Sequence, residues 1–213
     1  MRPLLPRLLI ALSLAAAAPA GATAIVNGSF ESNVIATDSY CITFASPLCG
    51  AVTGWSGDFY VVNGAPQAIT PLVPIPDGNQ IAMLQASTSF QQSVTIDTAG
   101  TYQLTWFDAG RNSFIGASGN EPYQVVFDGN IVGSFATTTG SPWTQRSAVF
   151  SSAAGTFTLS IEGLKPFGQG DDAALLDAFA IAPYVAPEPS TLALEACTLL
   201  CLPAFRRAAS RRR

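Results

Sequence analysis

The stretch that decides the fold is Phe90-Gln91-Gln92-Ser93-Val94-Thr95-Ile96, Asp97-Thr98-Ala99-Gly100 and Thr101-Tyr102-Gln103-Leu104-Thr105-Trp106-Phe107. In the first and last of these runs apolar and polar side chains alternate, which is typical of a β-strand with one buried face. The Asp- and Gly-containing tetrapeptide between them turns the chain. We therefore predict two strands separated by a tight turn.

Strand-like runs separated by turn residues continue through the middle of the chain. Tyr123–Phe127 and Ile131–Phe135 flank Asp128-Gly129-Asn130, a sequence suited to a tight hairpin turn because Gly tolerates positive φ. A second hairpin is predicted around Gly155, between the runs at 148–150 and 156–161, and a last strand at Ala174–Ala182.

This pattern predicts the fold class. No convincing helical periodicity separates the short runs of Val, Ile, Thr, Phe and Tyr. Roughly ten strands with turn signals at regular intervals favour an all-β domain, an antiparallel two-sheet sandwich of jelly-roll type. We assign it to residues 25–184, which is one domain's worth of chain.

Charge and composition limit what this domain does. Ile25 to Tyr184 contains twelve acidic and three basic residues, a net charge near −9. A nucleic-acid binder needs a basic stripe, so nucleic acid is excluded as a partner. The chain has no histidine, which removes Ser-His-Asp and Cys-His catalysis and histidine metal sites.

Cys41 and Cys49 are the only cysteines between residues 25 and 184. In an oxidising compartment an isolated pair is typical of a disulfide, and closing this short loop would stabilise the domain by about 2–3 kcal/mol. Two cysteines without histidine do not predict zinc.

The N-terminus indicates export. Arg2 and Arg7 precede an apolar run, Leu8–Ala18, and Ala22-Thr23-Ala24 has the small-residue pattern that signal peptidase cleaves. Residues 1–24 are therefore predicted to be a signal peptide. The alternative is a membrane-anchoring helix, but a span needs roughly 20 apolar residues and this run is much shorter.

The C-terminus has three parts. A linker at 185–191 contains Pro187-Glu188-Pro189, an apolar segment follows at 192–205, and a basic tail ends the chain at 206–213. The tail's arginines resist translocation and would stop transfer on the cytoplasmic side; they are Arg206, Arg207, Arg211, Arg212 and Arg213. Glu195 within a short apolar segment makes a poor permanent anchor, because a carboxylate in the membrane costs a few kcal/mol.

This order of motif, apolar segment and arginines resembles the PEP-CTERM sorting signal. The resemblance implies recognition and removal by an exosortase, at the inner membrane of a Gram-negative bacterium that makes exopolysaccharide. It places the mature domain at the cell surface or in the extracellular matrix. The membrane would then be a partner only through the tail and before processing. The alternative is a Pro-rich linker before a plain anchor.

Motifs within the domain resemble the galactose-binding-like β-sandwiches of PEP-CTERM and choice-of-anchor surface proteins. They are Asn27-Gly28-Ser29-Phe30-Glu31, Gly54-Trp55, Pro76-Asp77-Gly78-Asn79-Gln80, Phe90-Gln91-Gln92, Ala99-Gly100-Thr101-Tyr102, Phe107-Asp108-Ala109-Gly110, Trp143 and Leu175-Leu176-Asp177. Such domains often hold a structural calcium where the first strand meets the last, and calcium prefers oxygen ligands. The resemblance thus suggests Glu31, Asp171, Asp172 and Asp177 as calcium ligands; the alternative is that they are solvated loop acids.

Carbohydrate binding requires exposed aromatic rings beside hydrogen-bonding groups, because the C–H face of a sugar packs on a ring. Candidates of both kinds lie near the Gly54 turn and in the long segment from Gly110 to Pro122: Trp55, Phe59, Tyr60, Arg111, Asn112 and Asn120. The alternative is that the tryptophans belong to the core, which is the commoner position for a strand Trp.

The sequence is compatible with three candidate functions. The leading one is a non-enzymatic surface domain that binds extracellular polysaccharide, and the second is a structural or adhesive matrix protein without a small ligand. The third is a glycoside hydrolase, which needs two carboxylates across a cleft. The only adjacent acidic pair, Asp171 and Asp172, would point in opposite directions on a strand. Exposed aromatic rings, a featureless polar surface and a carboxylate cleft distinguish the three.

Overall fold

The computed structural model describes residues 25–43, 50–64, 74–112 and 119–186, and within these ranges the regular structure is entirely β. The strands are β1 Ser39–Ile42, β2 Ser56–Asp58, β3 Tyr60–Asn63, β4 Gln80–Leu84, β5 Ser89–Ile96, β6 Gly100–Gly110, β7 Asn120–Phe127, β8 Asn130–Thr138, β9 Thr144–Ser152, β10 Gly155–Gly163 and β11 Ala174–Pro183.

These strands form two antiparallel sheets. A six-stranded sheet has the order β1-β3-β4-β11-β6-β9, and a five-stranded sheet has the order β2-β5-β10-β7-β8. The predicted all-β, two-sheet architecture is therefore confirmed. β4 and the first four residues of β11 are continuously buried, so they show none of the alternation that marks β5.

The two predicted hairpins have different outcomes. β7 and β8 pair across the turn at Asp128 and Gly129, both of which adopt positive φ, so that hairpin is confirmed. The second prediction is wrong, because β9 pairs with β6 while β10 pairs with β5 and β7. The turn before Gly155 instead carries the chain from one sheet to the other.

The core lies between the two sheets and is rich in aromatic rings. Phe30 is at the centre of one cluster, with its ring stacked on Trp55 at 5.5 Å and edge-on to Phe90 at 5.8 Å and Phe179 at 6.2 Å. Gly28 is required nearby, because a Cβ there would collide with the carbonyl oxygen of Phe179. The Asn27–Glu31 motif therefore locks the N-terminal segment onto β11.

A second apolar layer covers the opposite side of the six-stranded sheet, which we call its outer face. Side chains alternate along β4, so that Ala82 and Leu84 join the core while Ile81 and Met83 join this layer. Its buried members are Val62, Ile81, Met83, Ala109, Ala173 and Leu175, with Tyr60, Ile75 and Trp143 packed against them. This layer forms the floor of the site described below.

Several predictions fall outside the described residues. The predicted signal peptide, the Pro-Glu-Pro motif, the apolar segment and the arginine tail all lie there. Among the described residues no helix has the length and apolarity to span a membrane. Cys41 is buried on β1, but Cys49 is outside the described ranges, so their disulfide stays a prediction.

Candidate functional site

A cavity of about 150 Å³ lies on the outer face, at the end of the sandwich where β4 and β6 finish and β11 begins. We call this the site end. The lining residues come from β1, β3 and β4 and from the segments beside β6 and β11: Tyr40, Ile42, Tyr60, Met83, Gln85, Arg111 and Asp171. Residues distant in sequence thus meet because antiparallel pairing brings these strand ends together.

Two tyrosines form one wall of the cavity. Tyr40 on β1 and Tyr60 on β3 have ring centroids 6.4 Å apart and ring planes inclined by 42°. Tyr40 is 44% exposed and Tyr60 is half-buried. Burial raises the pKa of Tyr60, with the nearby Tyr40 and Asp171 adding to the shift and Arg111 opposing it. Its hydroxyl therefore stays protonated at neutral pH and can both donate and accept a hydrogen bond.

An ordered polar network also lines the cavity. Arg111 Nη1 donates to Asp171 Oδ1 at 2.7 Å and to the Asp171 carbonyl oxygen at 3.2 Å, and Gln85 Nε2 donates to the same Oδ1 at 2.5 Å. The backbone N–H of Arg111 also donates to the carbonyl of Ala173 at 3.0 Å. The Arg111 side chain is buried, whereas that of Asp171 is partly open to solvent, so the charge-assisted bonds hold the carboxylate at the rim.

The neighbouring acid, Asp172, belongs to a different cluster. Its Oδ2 pairs with Lys165 Nζ and its Oδ1 accepts a hydrogen bond from the Thr139 hydroxyl at 2.9 Å. Glu121 lies near this pair, and neither of its carboxylate oxygens has a side-chain hydrogen-bond partner. Burial raises the pKa of Glu121 to about 8; Lys165 opposes that shift and Asp172 adds to it. The buried layer between the two sheets therefore contains polar side chains at the site end.

The four predicted calcium ligands do not form one site among the described residues. Asp171 and Asp172 are engaged by Arg111 and Lys165. Glu31 Oε1 instead accepts backbone hydrogen bonds from Asn79 (2.6 Å) and Gln80 (2.5 Å), and Asp177 Oδ2 accepts one from Asp77 (2.9 Å).

Glu31 and Asp177 thus pin the segment before β4 to the N-terminal motif and to β11. Burial raises the pKa of Asp177 to about 7. Hydrogen bonds from the backbone of Asp77 and Ala178 oppose this shift, and the nearby charges of Asp77 and Glu31 add to it. No group of three or more acidic or cysteine side chains in the described ranges is placed to hold a metal ion. These carboxylates therefore act as acceptors for backbone amides in the structure described.

The predicted carbohydrate residues divide in the same way. Trp55 is only 5% exposed and its indole N–H donates to the carbonyl of Asn27 at 2.9 Å, while Phe59 is buried with it in the core. The prediction that Trp55 stacks on a sugar is therefore wrong, because both sheets cover its ring. Tyr60 and Arg111, by contrast, line the same cavity.

The remaining predicted residues lie beside the cavity or away from it. Asn112 follows Arg111 directly, and Asn120 on β7 accepts a hydrogen bond from the Thr138 hydroxyl at 3.0 Å. Sequence reasoning missed Tyr40 and Gln85. Tyr40 carried a signal, since it alternates with Cys41 on a short strand and must therefore face away from the core when Cys41 faces inward.

Comparison with known proteins gives structural neighbours only. No protein-family model matches the chain, and no curated protein matches it. Among solved structures, TmCBM61 in complex with beta-1,4-galactotriose is 20% identical with a TM-score of 0.40, over 74% of this chain and 96% of that one.

Two further neighbours have similar values. A family 35 carbohydrate-binding module from Clostridium thermocellum is 14% identical with a TM-score of 0.40, over 68% of this chain and 99% of that one. The carbohydrate-binding module CBM36 in complex with calcium and xylotriose is 18% identical with a TM-score of 0.38, over 57% and 98%. At these identities a likeness concerns the fold alone.

Proposed function

We propose that this domain is a non-enzymatic binder of polysaccharide and that the ligand occupies the outer-face cavity. The observation that carries the proposal is the pairing of Tyr40 and Tyr60 with the Arg111–Asp171 network across one open cavity. The rings offer apolar surface to the C–H face of a sugar, and the carboxylate, guanidinium and amide groups suit its hydroxyls.

The charge of the domain favours a neutral sugar. The single arginine of the cavity is already paired with Asp171, and the segment 25–184 carries a net charge near −9. A polyanionic chain would be repelled by this field and would find no unpaired cation among the described cavity residues. The ligand class is therefore neutral polysaccharide.

The cavity does not support the hydrolase alternative. A glycosidase needs an acid and a second carboxylate on either side of the scissile bond. Among the described lining residues Asp171 is the only acid, and its Oδ1 already accepts hydrogen bonds from Arg111 and Gln85. The second alternative, a matrix protein without a sugar ligand, is distinguished by experiment.

The test is affinity electrophoresis of the full-length chain in gels containing β-1,4-galactan, xylan, galactomannan or laminarin. We expect retardation by at least one neutral polysaccharide and a loss of about tenfold in affinity for Tyr60→Ala, since a stacked ring contributes on the order of 1 kcal/mol or more. Tyr184→Ala removes a tyrosine outside the cavity and serves as the matched control. No retardation by any of the polysaccharides would favour the matrix protein without a sugar ligand.

We further propose that the chain is exported and that its C-terminal tail is removed. The proposal is supported by the signal-peptide pattern, by the Pro187-Glu188-Pro189 motif before a short apolar segment, and by the terminal arginines. Mass spectrometry of the mature protein tests it. We expect an N-terminus at Ile25 and a C-terminus near Pro189, and an intact arginine tail would overturn the processing step.

A further inference from the structure

The loop between β10 and β11, residues 164–173, displays an aromatic ring to solvent. Phe167 is 68% exposed. Among the aromatic side chains of the described ranges, only Phe167 and Tyr40 are exposed. Tyr40 lines the cavity, and Phe167 belongs to the loop that delivers Asp171 to the same cavity. One exposed ring therefore lines the cavity, and the other belongs to the loop that ends in the cavity residue Asp171.

The base of this loop is fixed. Lys165 and Asp172 form a buried ion pair across it, and the Thr139 hydroxyl holds Asp172 from the neighbouring loop. The backbone N–H of Leu164 donates to the carbonyl of Pro122 at 2.9 Å. Because both stems are anchored, the tip between them projects from a rigid base, which reduces the conformational entropy lost when a ligand binds.

Glycines shape the tip. Gly168 and Gly170 have φ of +83° and +107°, values that favour glycine, and a Cβ on Gly170 would lie 3.1 Å from Asp172 Oδ2. The turn through Gly170 thus lets the loop pass close to the ion pair. It also leaves Phe167 on the solvent side, where it contributes little to the core.

The chain limits how far Phe167 can be from the cavity residue Asp171. Phe167 and Asp171 are separated by four Cα–Cα steps, so their Cα atoms lie at most about 15 Å apart. A short oligosaccharide spans that distance. A sugar chain bound between Tyr40 and Asp171 would therefore have a neighbouring unit within reach of Phe167.

We propose that Phe167 is a second stacking platform, which extends the outer-face cavity from one sugar unit to a short run of a neutral polysaccharide chain. The inference rests on the proposed polysaccharide binding and adds a chain-length preference to it. The first platform holds one unit beside Arg111 and Asp171, and the Phe167 ring packs on a unit further along the chain. Affinity therefore increases with oligosaccharide length until both platforms are occupied.

The experiment measures binding of the full-length chain by titration calorimetry. The probes are the polysaccharide that retards the protein and its oligosaccharides, from the monosaccharide upward. For Phe167→Ala we expect about a tenfold loss of affinity for the polymer and long oligosaccharides and no change for the shortest ligand that binds. Phe167→Trp should retain the affinity. Ile131→Ala is the matched control, because Ile131 is 61% exposed. It lies at the start of β8, whereas Thr139, which holds Asp172, follows the last residue of that strand.

The outcomes separate the two proposals. If Tyr60→Ala weakens binding while Phe167→Ala leaves every ligand unaffected, polysaccharide binding stands and the second platform is overturned. An equal loss for short and long ligands with Phe167→Ala would also overturn it, since a distorted loop would act on Asp171 at the first platform. If the unaltered protein binds none of the polysaccharides, both proposals fail.

Discussion

The two faces of the six-stranded sheet use aromatic side chains in different ways. On the inner face, Trp106 stacks on Phe179 at 6.1 Å, and Trp55 packs against Phe179 at 5.6 Å and edge-on against Phe90 of the five-stranded sheet at 5.0 Å. These rings have little or no solvent exposure. On the outer face, Tyr40 and Tyr60 contact each other at 6.4 Å while part of each ring stays in water. The inner rings have neighbours on both sides, whereas the outer rings have room for one more.

The polar groups of the two faces differ in the same sense. Inside, the Trp106 indole N–H donates to the Tyr123 hydroxyl at 2.9 Å, and that hydroxyl donates to Asp108 at 2.8 Å, so a closed network satisfies the core. Outside, Asp171 is held by two donors but remains partly exposed and can accept from a ligand. Buried aromatic rings with neighbours on both sides therefore stabilise this domain, while the partly exposed rings are available for binding.

The largest predicted effect is on the inner face. Trp55→Ala removes a ring in contact with Phe30, Phe90 and Phe179 and leaves a cavity. The free energy of unfolding should fall by about 3–5 kcal/mol. Urea denaturation of the full-length chain followed by circular dichroism measures it. A loss below about 1 kcal/mol would show that Trp55 is not part of the packed core.

The strands could be predicted from local sequence, but their partners could not. The alternation in Phe90–Ile96 predicts β5 closely because a period of two is a property of neighbouring residues. The predicted pairing of β9 with β10 was wrong because sheet membership depends on distant strands; Phe150 and Phe157 face the core from opposite sheets and were not distinguishable from hairpin partners.

The site was predictable only in part for the same reason. Tyr60 and Arg111 were predicted from residue type, but the burial of Trp55 depends on Phe30, Phe90 and Phe179, which lie far from it in sequence. Asp171 and Asp172 do engage different partners, as expected for adjacent residues. Asp172 meets Lys165 within the same loop, whereas Asp171 meets Arg111 because β6 pairs with β11, which the local pattern does not contain.

The second prediction concerns a buried carboxyl group on β7. Glu121 is 1% exposed without a side-chain hydrogen-bond partner, and burial is the main cause that raises its pKa from 4.5 to about 8. Between these two values the folded state keeps the proton and the unfolded state loses it. Stability should therefore decrease as pH rises through this window, by on the order of 1 kcal/mol per pH unit.

Glu121→Gln removes this proton linkage while keeping the shape of the side chain. The variant should match the unaltered protein near pH 4.5 and exceed it in stability at pH 8 and above. Urea unfolding of both proteins at several pH values gives the difference, which cancels contributions from Asp177 and other groups. Identical pH dependence in the two proteins would mean that Glu121 is ionised in the folded state.

The smallest predicted change in stability is on the outer face, and it tests the comparison most directly. Tyr60 is half-buried against Met83 and its neighbours, and β3 still pairs with β1 and β4 when the ring is removed. Tyr60→Ala should therefore lower the free energy of unfolding by about 1 kcal/mol, a fraction of the value for a fully buried ring. A urea titration beside Trp55→Ala measures this small loss of stability, while affinity electrophoresis should show the loss of about tenfold in binding. If Tyr60→Ala destabilised the domain as strongly as Trp55→Ala, the outer rings would form a second core. That result would contradict the proposal that the cavity beside them is a binding site.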